Sequence, residues 1–376
     1  MLVALKELGE IITGNTPSKK NIEYYDSDDI CFVKPDIISD SEISIINSSN
    51  EYISEKARTK ARIVQENTIF VTCIGTIGKI GIAEKGDYAF NQQINAIVPN
   101  DRTIPKYLAY ALFYSKAKLS AIANAPVVPI INKTQFGDFR VDIESDITKQ
   151  KRIITTLDKL QSIITHRKQQ LAKLDELVKA RFVEMFGDPI LNQKGFPVYR
   201  MDEVVDFQGG SQPDKKYFEY EPTEDNIRLI QIRDYKTDKY ITYIPKEMAK
   251  RFCNADDIMI GRYGPPIFQI LQGIEGSFNV ALMKATPKMG NKEFIRYFLK
   301  QDCLLHYLEG LSQRTAGQDG IQMDKLKAYP FPMPPTEAQE EFATFIVQLN
   351  KSKFAVQQAL DKAQMLFDSL MQDYFG

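Results

Sequence analysis

Residues 150–187 read QKRIITTLDKLQSIITHRKQQLAKLDELVKARFVEMFG, and residues 339–376 read QEEFATFIVQLNKSKFAVQQALDKAQMLFDSLMQDYFG. The two stretches align without a gap at an offset of 189 residues, and both end in the Phe-Gly pair typical of a helix closed by a left-handed glycine. Self-similarity of this kind indicates a duplicated structural unit. The register is set by the identical pairs Gln150/Gln339, Leu160/Leu349, Gln169/Gln358, Leu171/Leu360, Lys173/Lys362 and Leu177/Leu366.

Apolar residues recur every three or four positions in both stretches, which is the spacing of one helix face. Because charged residues flank these stripes, they predict two long helices that pack as an antiparallel coiled coil. The alternative is two ordinary core helices, although those average only about 11–12 residues. The apolar stripes are interrupted by polar residues at Arg167 and Lys353. At the start of the second helix, Thr336 and Gln339 have the spacing of a capping box. The apolar positions are Ile153, Leu157, Leu160, Ile164, Leu171, Leu174, Val178 and Phe182, then Phe342, Ile346, Leu349, Val356, Leu360, Ala363, Phe367, Leu370 and Tyr374.

The segments that precede the helices also correspond, in the same order. Residues 5–17 parallel residues 201–213, Tyr24-Tyr25 parallels Tyr217-Phe218, and Phe90-Asn91 parallels Phe278-Asn279. The chain therefore reads as a pseudo-twofold repeat. Its predicted parts are a first domain (1–148), a central spacer helix (149–187), a second domain (188–334) and a C-terminal spacer helix (335–376).

Short β-branched runs bounded by Gly, Pro, Asn and Asp predict strands in both domains, for example 30–33, 68–72 and 227–232. One helix is predicted in each domain, at 105–119 and 292–308. Strands and helices do not alternate regularly, so we expect an α+β fold of two globular mixed α/β domains separated by the long helices, not a doubly wound sheet.

Composition is typical of a soluble globular protein: 43% of the 376 residues are hydrophobic and 26% are charged. No apolar run reaches the roughly 20 residues of a membrane span, and the start of the chain does not resemble a signal peptide. We therefore expect a cytoplasmic protein with no membrane partner. The net charge of −1 neither favours nor excludes nucleic acid. Four widely spaced cysteines favour buried thiols over zinc or disulfide sites, at Cys31, Cys73, Cys253 and Cys303.

Catalytic motifs are scarce. The sequence has no phosphate-binding P-loop, no dinucleotide-binding glycine motif and no HExxH zinc motif, and we predict neither cofactor nor metal in this chain. The glycines of residues 75–81 have the wrong spacing for a P-loop and favour a turn between strands. Pro213-Asp214 followed by Asp234 and Lys236 matches the order of many Mg²⁺-dependent nucleases, so a stand-alone nuclease remains an alternative.

Several of these segments resemble motifs of the specificity (S) subunit of type I restriction–modification systems. The family opens with Gly-Gly-Thr-Pro-Ser, then Tyr-Trp, then Trp-Val…Asp, and three segments of this chain are similar to these in the same order: 14–18, Tyr24-Tyr25 and 32–37. Asn15 and Phe32 depart from the family's residues. Residues 91–93, Asn-Gln-Gln, look like another family segment. In the second half, 257–264 and 278–282 are also typical of the family, whereas 208–212 lack its Thr-Pro step.

The resemblance implies a non-catalytic, sequence-specific DNA-binding subunit for a bipartite target in double-stranded DNA. It also implies two methyltransferase subunits docked on the helices, and restriction/translocase subunits joined through them. S-adenosylmethionine, ATP and Mg²⁺ would then belong to these partners. A coiled-coil adaptor that binds only protein is a further alternative. About 38 helical residues would span roughly 57 Å, more than the ~34–36 Å of one DNA turn, so helix length would set the unread gap.

Base readout requires side chains that can make bidentate hydrogen bonds from loops that reach a groove. The polar stretch 312–320 is the strongest single segment because it lacks strand or helix periodicity. The candidate DNA-binding residues are Lys34, Lys79, Gln92 and Lys133 in the first half, and Gln231, Arg233, Arg262, Tyr263, Gln313, Arg314 and Gln318 in the second.

Overall fold

The computed structural model describes residues 1–123, 128–264, 266–312 and 320–376. The chain divides into two compact units, one formed by Met1–Gln169 with Gln357–Gly376 and the other by Gln170–Val356. Each unit thus contains one globular repeat and one end of each long helix. The predicted boundaries at 148, 187 and 334 stay a prediction, because this division cuts each helix near its middle.

The first unit contains three antiparallel or mixed sheets. Their strand orders are β2-β10-β7-β8-β4, β5-β3-β9-β6 and β1-β11. The strands are β1 (Leu2–Ala4), β2 (Gly9–Thr13), β3 (Ile30–Val33), β4 (Ser44–Ile46), β5 (Tyr52–Ile53), β6 (Ile63–Gln65), β7 (Ile69–Thr72), β8 (Ile80–Ala83), β9 (Asp87–Phe90), β10 (Ile94–Pro99) and β11 (Arg140–Asp142). The helices are α1 (Leu5–Leu8), α2 (Pro105–Tyr114), α3 (Lys116–Ala121), α4 (Lys133–Asp138) and the first part of α5 (Ile147–Phe186).

The second unit repeats this plan, with strand orders β13-β20-β17-β18, β15-β14-β19-β16 and β12-β21. The strands are β12 (Val198–Arg200), β13 (Val205–Gly209), β14 (Asn226–Ile230), β15 (Tyr243–Pro245), β16 (Phe252–Cys253), β17 (Ile258–Gly261), β18 (Gln269–Gln272), β19 (Gly276–Phe278), β20 (Leu282–Pro287) and β21 (Pro330–Pro332). The helices are α6 (Met201–Val204), α7 (Lys292–Leu299), α8 (Asp302–Ser312), α9 (Met323–Lys327) and the first part of α10 (Thr336–Phe375). The mixed helix and sheet fold, repeated twice with a long helix between the repeats, is confirmed.

The strand registers reproduce the duplication. In the first unit, β9 pairs with β3 in parallel so that Phe90 lies opposite Val33. In the second, β19 pairs with β14 in parallel so that Phe278 lies opposite Ile230. Because a parallel pair inside an otherwise mainly antiparallel sheet is a specific arrangement, its recurrence shows that the two domains share one topology.

The single helix predicted in each domain is in fact two. The first pair breaks at Ser115, which ends α2 and precedes α3. The second breaks after Leu299, where Lys300 caps α7 and α8 starts at Asp302. Apolar periodicity continues across both breaks, so the sequence pattern did not reveal them.

The long helices α5 and α10 contain 40 residues each, and their apolar stripes are buried as predicted at most positions. In the second unit they run antiparallel, since Arg181 bonds Glu341 at 2.6 Å and Lys353 pairs with Asp175. The polar interruption at Lys353 is therefore an ion-pair position.

Two parts of the helix prediction need correction. Ile153, Leu171 and Leu174 are only half-buried. Near the end of α10, Met371 and Phe375 are buried whereas the predicted Leu370 and Tyr374 are half-buried. The stripe advances by four residues from Phe367 onward, and this spacing brings the Phe375 ring to 5.2 Å from that of Tyr107 within the first unit.

The duplicated glutamines attach each long helix to its domain. Gln150 is fully buried and accepts a hydrogen bond from the Ile104 N–H at 2.8 Å. Gln339 likewise accepts from the Asn291 N–H at 2.7 Å and donates to the Pro334 carbonyl. The capping-box prediction for Gln339 is therefore wrong: its amide satisfies groups of the preceding domain, and Thr336 is the first residue of α10.

All four cysteines are free thiols; Cys31, Cys73 and Cys253 are buried and Cys303 is half-buried. Burial raises the pKa of the Cys31, Cys73 and Cys253 thiols to about 11, so they are protonated packing groups at neutral pH. Among the helices of the described ranges, none is both long and apolar enough to cross a bilayer.

Candidate nucleic-acid interface

Two equivalent glycines fix the loop that follows β2 in the first unit and β13 in the second. Gly14 donates its N–H to the Ile94 carbonyl, and Gly210 donates to the Leu282 carbonyl, each at 3.1 Å. A Cβ on Gly14 would lie 2.2 Å from the Asn91 carbonyl oxygen, and one on Gly210 would lie 1.9 Å from that of Asn279. Any side chain would separate the two loops, so glycine is required at both positions.

The asparagine that follows β9 or β19, Asn91 or Asn279, belongs to the loop that the glycine loop approaches. We call the glycine loop and this asparagine loop together the frame of the unit. In the first unit the Thr16 hydroxyl donates to the Gln92 amide oxygen at 2.8 Å. In the second unit the Asn279 amide donates to the Gln212 amide oxygen at 3.4 Å. Gln92 is exposed beside this contact. The glycine loop and the asparagine loop are thus joined by side chains in both units.

Lys34 and Gln231 occupy equivalent positions. Each directly follows the residue whose carbonyl accepts the asparagine N–H (Val33 or Ile230), and each caps the 3₁₀ turn that comes next. Lys34 pairs with the Glu51 carboxylate. Lys79 donates to the Pro35 carbonyl at 3.0 Å, in the turn after Lys34. The structure therefore brings Lys34 and Lys79 together.

Gln231 and Arg233 also lie together. Both donate to the hydroxyl of the buried Thr242 at 3.0 Å. The Arg233 guanidinium lies 5.8 Å from the Tyr240 ring centroid, and Arg233 is exposed. These bonds fix the direction of two polar side chains at one edge of the domain, which is the preorganisation that base readout needs.

Asp234 supports this segment from beneath. Its side chain is completely buried, accepts from the Gln231 N–H at 3.2 Å and lies 3.6 Å from the Arg228 Nε. Burial raises the pKa of the Asp234 carboxyl above its ordinary value, opposed by the Gln231 N–H and by the charges of Arg228 and Arg233. Its oxygens face the protein interior, so Asp234 has the geometry of a loop support and not of an ion ligand.

The remaining residues of the predicted nuclease pattern do not join Asp234. Asp214 is exposed and caps a 3₁₀ turn through the Lys216 N–H. Within the part of the chain that the structure describes, no three His, Cys, Asp or Glu side chains form a group that could hold a metal ion. Gly75 and Gly78 form the predicted turn between β7 and β8, with left-handed φ values of 77° and 80°, whereas Gly81 lies within β8.

Arg262 and Tyr263 form a third cluster, after β17. The Arg262 guanidinium donates to the Val280 carbonyl at 3.4 Å and lies 5.3 Å from the Tyr263 ring centroid. Tyr263 is exposed and forms an isolated bridge with Gly320. The candidates Gln313, Arg314 and Gln318 lie outside the described residues.

Lys133 takes part in neither of the contacts described above for Lys34 and Lys79. It is the first residue of α4 and lines a groove of about 540 Å³ with Glu10, Thr13 and Arg62. Arg62 was not among the sequence candidates, yet the Asn15 side chain accepts its N–H at 2.8 Å. Only the folded contact of Asn15 with the 60–62 segment places Arg62 beside the glycine loop, and no sequence pattern indicates it.

Comparison with known proteins shows what this arrangement resembles. The family model described as "Type I restriction modification DNA specificity domain" matches residues 1–176 and 193–363. The MjaIX specificity subunit of Methanocaldococcus jannaschii is 28% identical over 237 residues, which cover 57% of this chain and 54% of that protein. The HindI specificity subunit of Haemophilus influenzae is 36% identical over 110 residues, covering 29% and 23%. The chain thus spans about half the length of these relatives or less.

Two solved structures share the fold. The S subunit of a type I restriction–modification system from M. genitalium matches with a TM-score of 0.60 and 14% identity, over 100% of this chain and 96% of that one. A chain from a study of complex assembly and conformational transition in a type I R-M system matches with a TM-score of 0.57 and 15% identity, over 100% and 97%.

Proposed function

Since the chain belongs to the type I restriction–modification DNA specificity family, two copies of whose domain cover most of it, we propose that it is the target-recognition subunit of such a system. It binds a bipartite double-stranded DNA sequence and has no catalytic activity of its own. Methyltransferase subunits, and restriction/translocase subunits through them, carry S-adenosylmethionine, ATP and Mg²⁺. The chain itself binds none of these cofactors.

A single observation carries the proposal: both units keep the same frame but differ in the side chains it presents. Gly14 and Gly210 match, whereas Lys34 is replaced by Gln231. Ile80 of β8 lies opposite Val71, and Ile270 of β18 lies opposite Ile260, so the residues that precede them, Lys79 and Gln269, correspond. Lysine suits the guanine O6 and N7 acceptors and glutamine suits the adenine N6 and N7 edge. Two readers with one frame and different readout fit an asymmetric, two-part target.

Substitution of a reader in one unit is expected to relax one half-site only. Gln231→Ala, tested in the chain assembled with its methyltransferase, should cost about 1–3 kcal/mol of discrimination at one base pair, because a bidentate base contact is lost. Genome-wide mapping of methylated adenines reports the change. Lys34→Ala is the matched variant and should affect the other half-site. Relaxation of the same half-site by both variants would contradict the proposal.

The outer faces of the long helices support docking of two identical partners. In the gap-free register, four pairs are identical and exposed in both helices: Thr155/Thr344, Gln169/Gln358, Lys173/Lys362 and Leu177/Leu366. At 100° per residue these positions fall within an arc of about 80°, opposite the core stripe. An exposed face has no packing reason to stay the same. A partner that binds twice, the methyltransferase subunit in our proposal, gives one.

Each copy of this face should bind one methyltransferase subunit. Leu177 and Leu366 are 47% and 50% exposed, and a charge at either position would place an uncompensated carboxylate in the contact. Leu177→Asp or Leu366→Asp should therefore reduce the co-purified complex from two methyltransferase copies to one, measured by native mass. Val183→Asp is the control, because Val183 is equally exposed but its counterpart is Gln372. Two retained copies in both leucine variants would exclude this face.

A further inference from the structure

In both units a pair of lysines follows the frame glycine at the same spacing along the sequence. Lys19-Lys20 follow Gly14 by five and six residues, and Lys215-Lys216 follow Gly210 by the same count. All four side chains are exposed. The residues around them have changed between the repeats: Asn15-Thr16 corresponds to Ser211-Gln212, and Ser18 to Asp214. Only the proline and the two lysines are kept.

The lysine-bearing loop of the first unit is fixed next to the candidate readers. The Tyr25 hydroxyl donates to the Pro17 carbonyl at 2.7 Å, just before the lysines. The Lys19 ammonium lies 3.8 Å from the Glu51 carboxylate, which also pairs with Lys34. One carboxylate thus faces two ammonium groups, and among the residues that the structure describes Lys20 forms no ion pair.

The second unit holds its pair in a similar way. The Asp214 carboxylate accepts the Lys216 N–H at 3.1 Å and so fixes the backbone beneath both lysines. The Lys216 ammonium lies 4.9 Å from the Tyr217 ring centroid. The same loop contacts the asparagine frame through Gln212 and Asn279. In both units, then, the lysine pair is attached to the frame and is not part of a distant surface.

We propose that Lys19-Lys20 and Lys215-Lys216 bind the backbone phosphates beside each half-site and set the register of each reading domain on the duplex. Phosphates are the same at every base sequence, whereas base edges differ. Positions that read bases should therefore diverge between the two units, and positions that bind phosphate should not. Lysine, a mobile point charge on a flexible stem, suits this contact. The inference rests on the proposed DNA-binding function.

The test measures DNA affinity against salt for the chain assembled with its methyltransferase. Two duplexes of equal length are used, one with the mapped target and one with that sequence scrambled. Each lost phosphate contact lowers the salt slope by about 0.9. Lys19→Ala with Lys20→Ala should therefore lower the slope by about 1.8 and weaken binding at 0.15 M salt roughly thirtyfold, on both duplexes. Lys215→Ala with Lys216→Ala should do the same.

The controls separate charge from position and from folding. Lys85 and Lys288 are exposed lysines beside the ends of β9 and β20 that lie away from the frame. Lys85→Ala and Lys288→Ala should leave the slope unchanged. Arginine in place of each lysine pair keeps the charge and should restore the slope. The methylated sequence should stay the same in every variant.

Three results would overturn the inference. An unchanged slope in both double variants would show that the lysines do not meet phosphate. A loss confined to the target duplex would make them base readers. An equal loss per removed lysine in the Lys85 and Lys288 variants would reduce the effect to net charge. If the unsubstituted complex binds neither duplex, the proposed function itself fails, and this result is distinct from the other three.

Discussion

When residues 1–148 are replaced by the corresponding domain of another family member, the methyltransferase complex that we propose for this chain is expected to methylate a target that differs in one half-site only. The frame of each unit is complete within that unit, because the glycine loop, the asparagine loop and the 3₁₀ turn all come from one domain. No side chain of the second frame is altered by the exchange. Affinity for the original target should fall by at least about 10³-fold, toward the non-specific level.

The ends of the domains make such an exchange physically feasible. In the first unit β1 pairs with β11, so the start and the end of the domain lie together just before α5. In the second unit β12 pairs with β21 in the same way before α10. Gln150 lies outside the exchanged segment and stays in α5, so the foreign domain must offer its amide oxygen a backbone N–H equivalent to that of Ile104. Methylation mapping of the reciprocal exchange, of residues 188–334, should change the other half-site. A change in both half-sites would show that the domains do not read independently.

The large features of the fold could be predicted because they are periodic or repeated. A stripe that persists over 40 residues fixes both the existence and the buried face of α5 and α10. The gap-free register of the two copies indicates the duplication. The helix breaks at Ser115 and Lys300 were missed, since apolar spacing continues through them. At the end of α10 the stripe was predicted one position early, because Leu370 and Met371 are both apolar and only packing distinguishes them.

The candidate site could be predicted only by residue type. The sequence offers Lys34 and Gln231 as polar loop residues, but it does not show that they occupy the same position of one frame. It does not show that Lys34 is engaged by Glu51, 17 positions away. Arg62 was missed for the same reason, since Asn15 reaches it across 47 positions. Long-range contacts determine which polar side chains can bind a ligand, and local sequence patterns do not reveal these contacts.

Lengthening both long helices by one turn is expected to widen the unread gap of the DNA target without changing either half-site. Four residues inserted after Gln169, together with four after Val356, add about 6 Å to each helix. These are the points where the division between the two units crosses α5 and α10, so the packing inside each unit keeps its residues. At about 3.4 Å per base pair, the gap should grow by one or two base pairs, as read by methylation mapping.

The phase of the insertion is the decisive control. Four residues turn a helix by about 400°, which leaves the apolar stripe within about 40° of its original direction, and a coiled coil accommodates this as a stutter. Two residues turn it by about 200° and would direct the stripe beyond the insertion into solvent. Leu157 and Ile164 lie on one side of the insertion in α5, and Val178 and Phe182 on the other, and all four are buried. The two-residue variant should therefore lose activity and thermal stability, whereas the four-residue variant keeps both with a wider gap. An active four-residue variant with the original gap would show that these helices do not set the spacing.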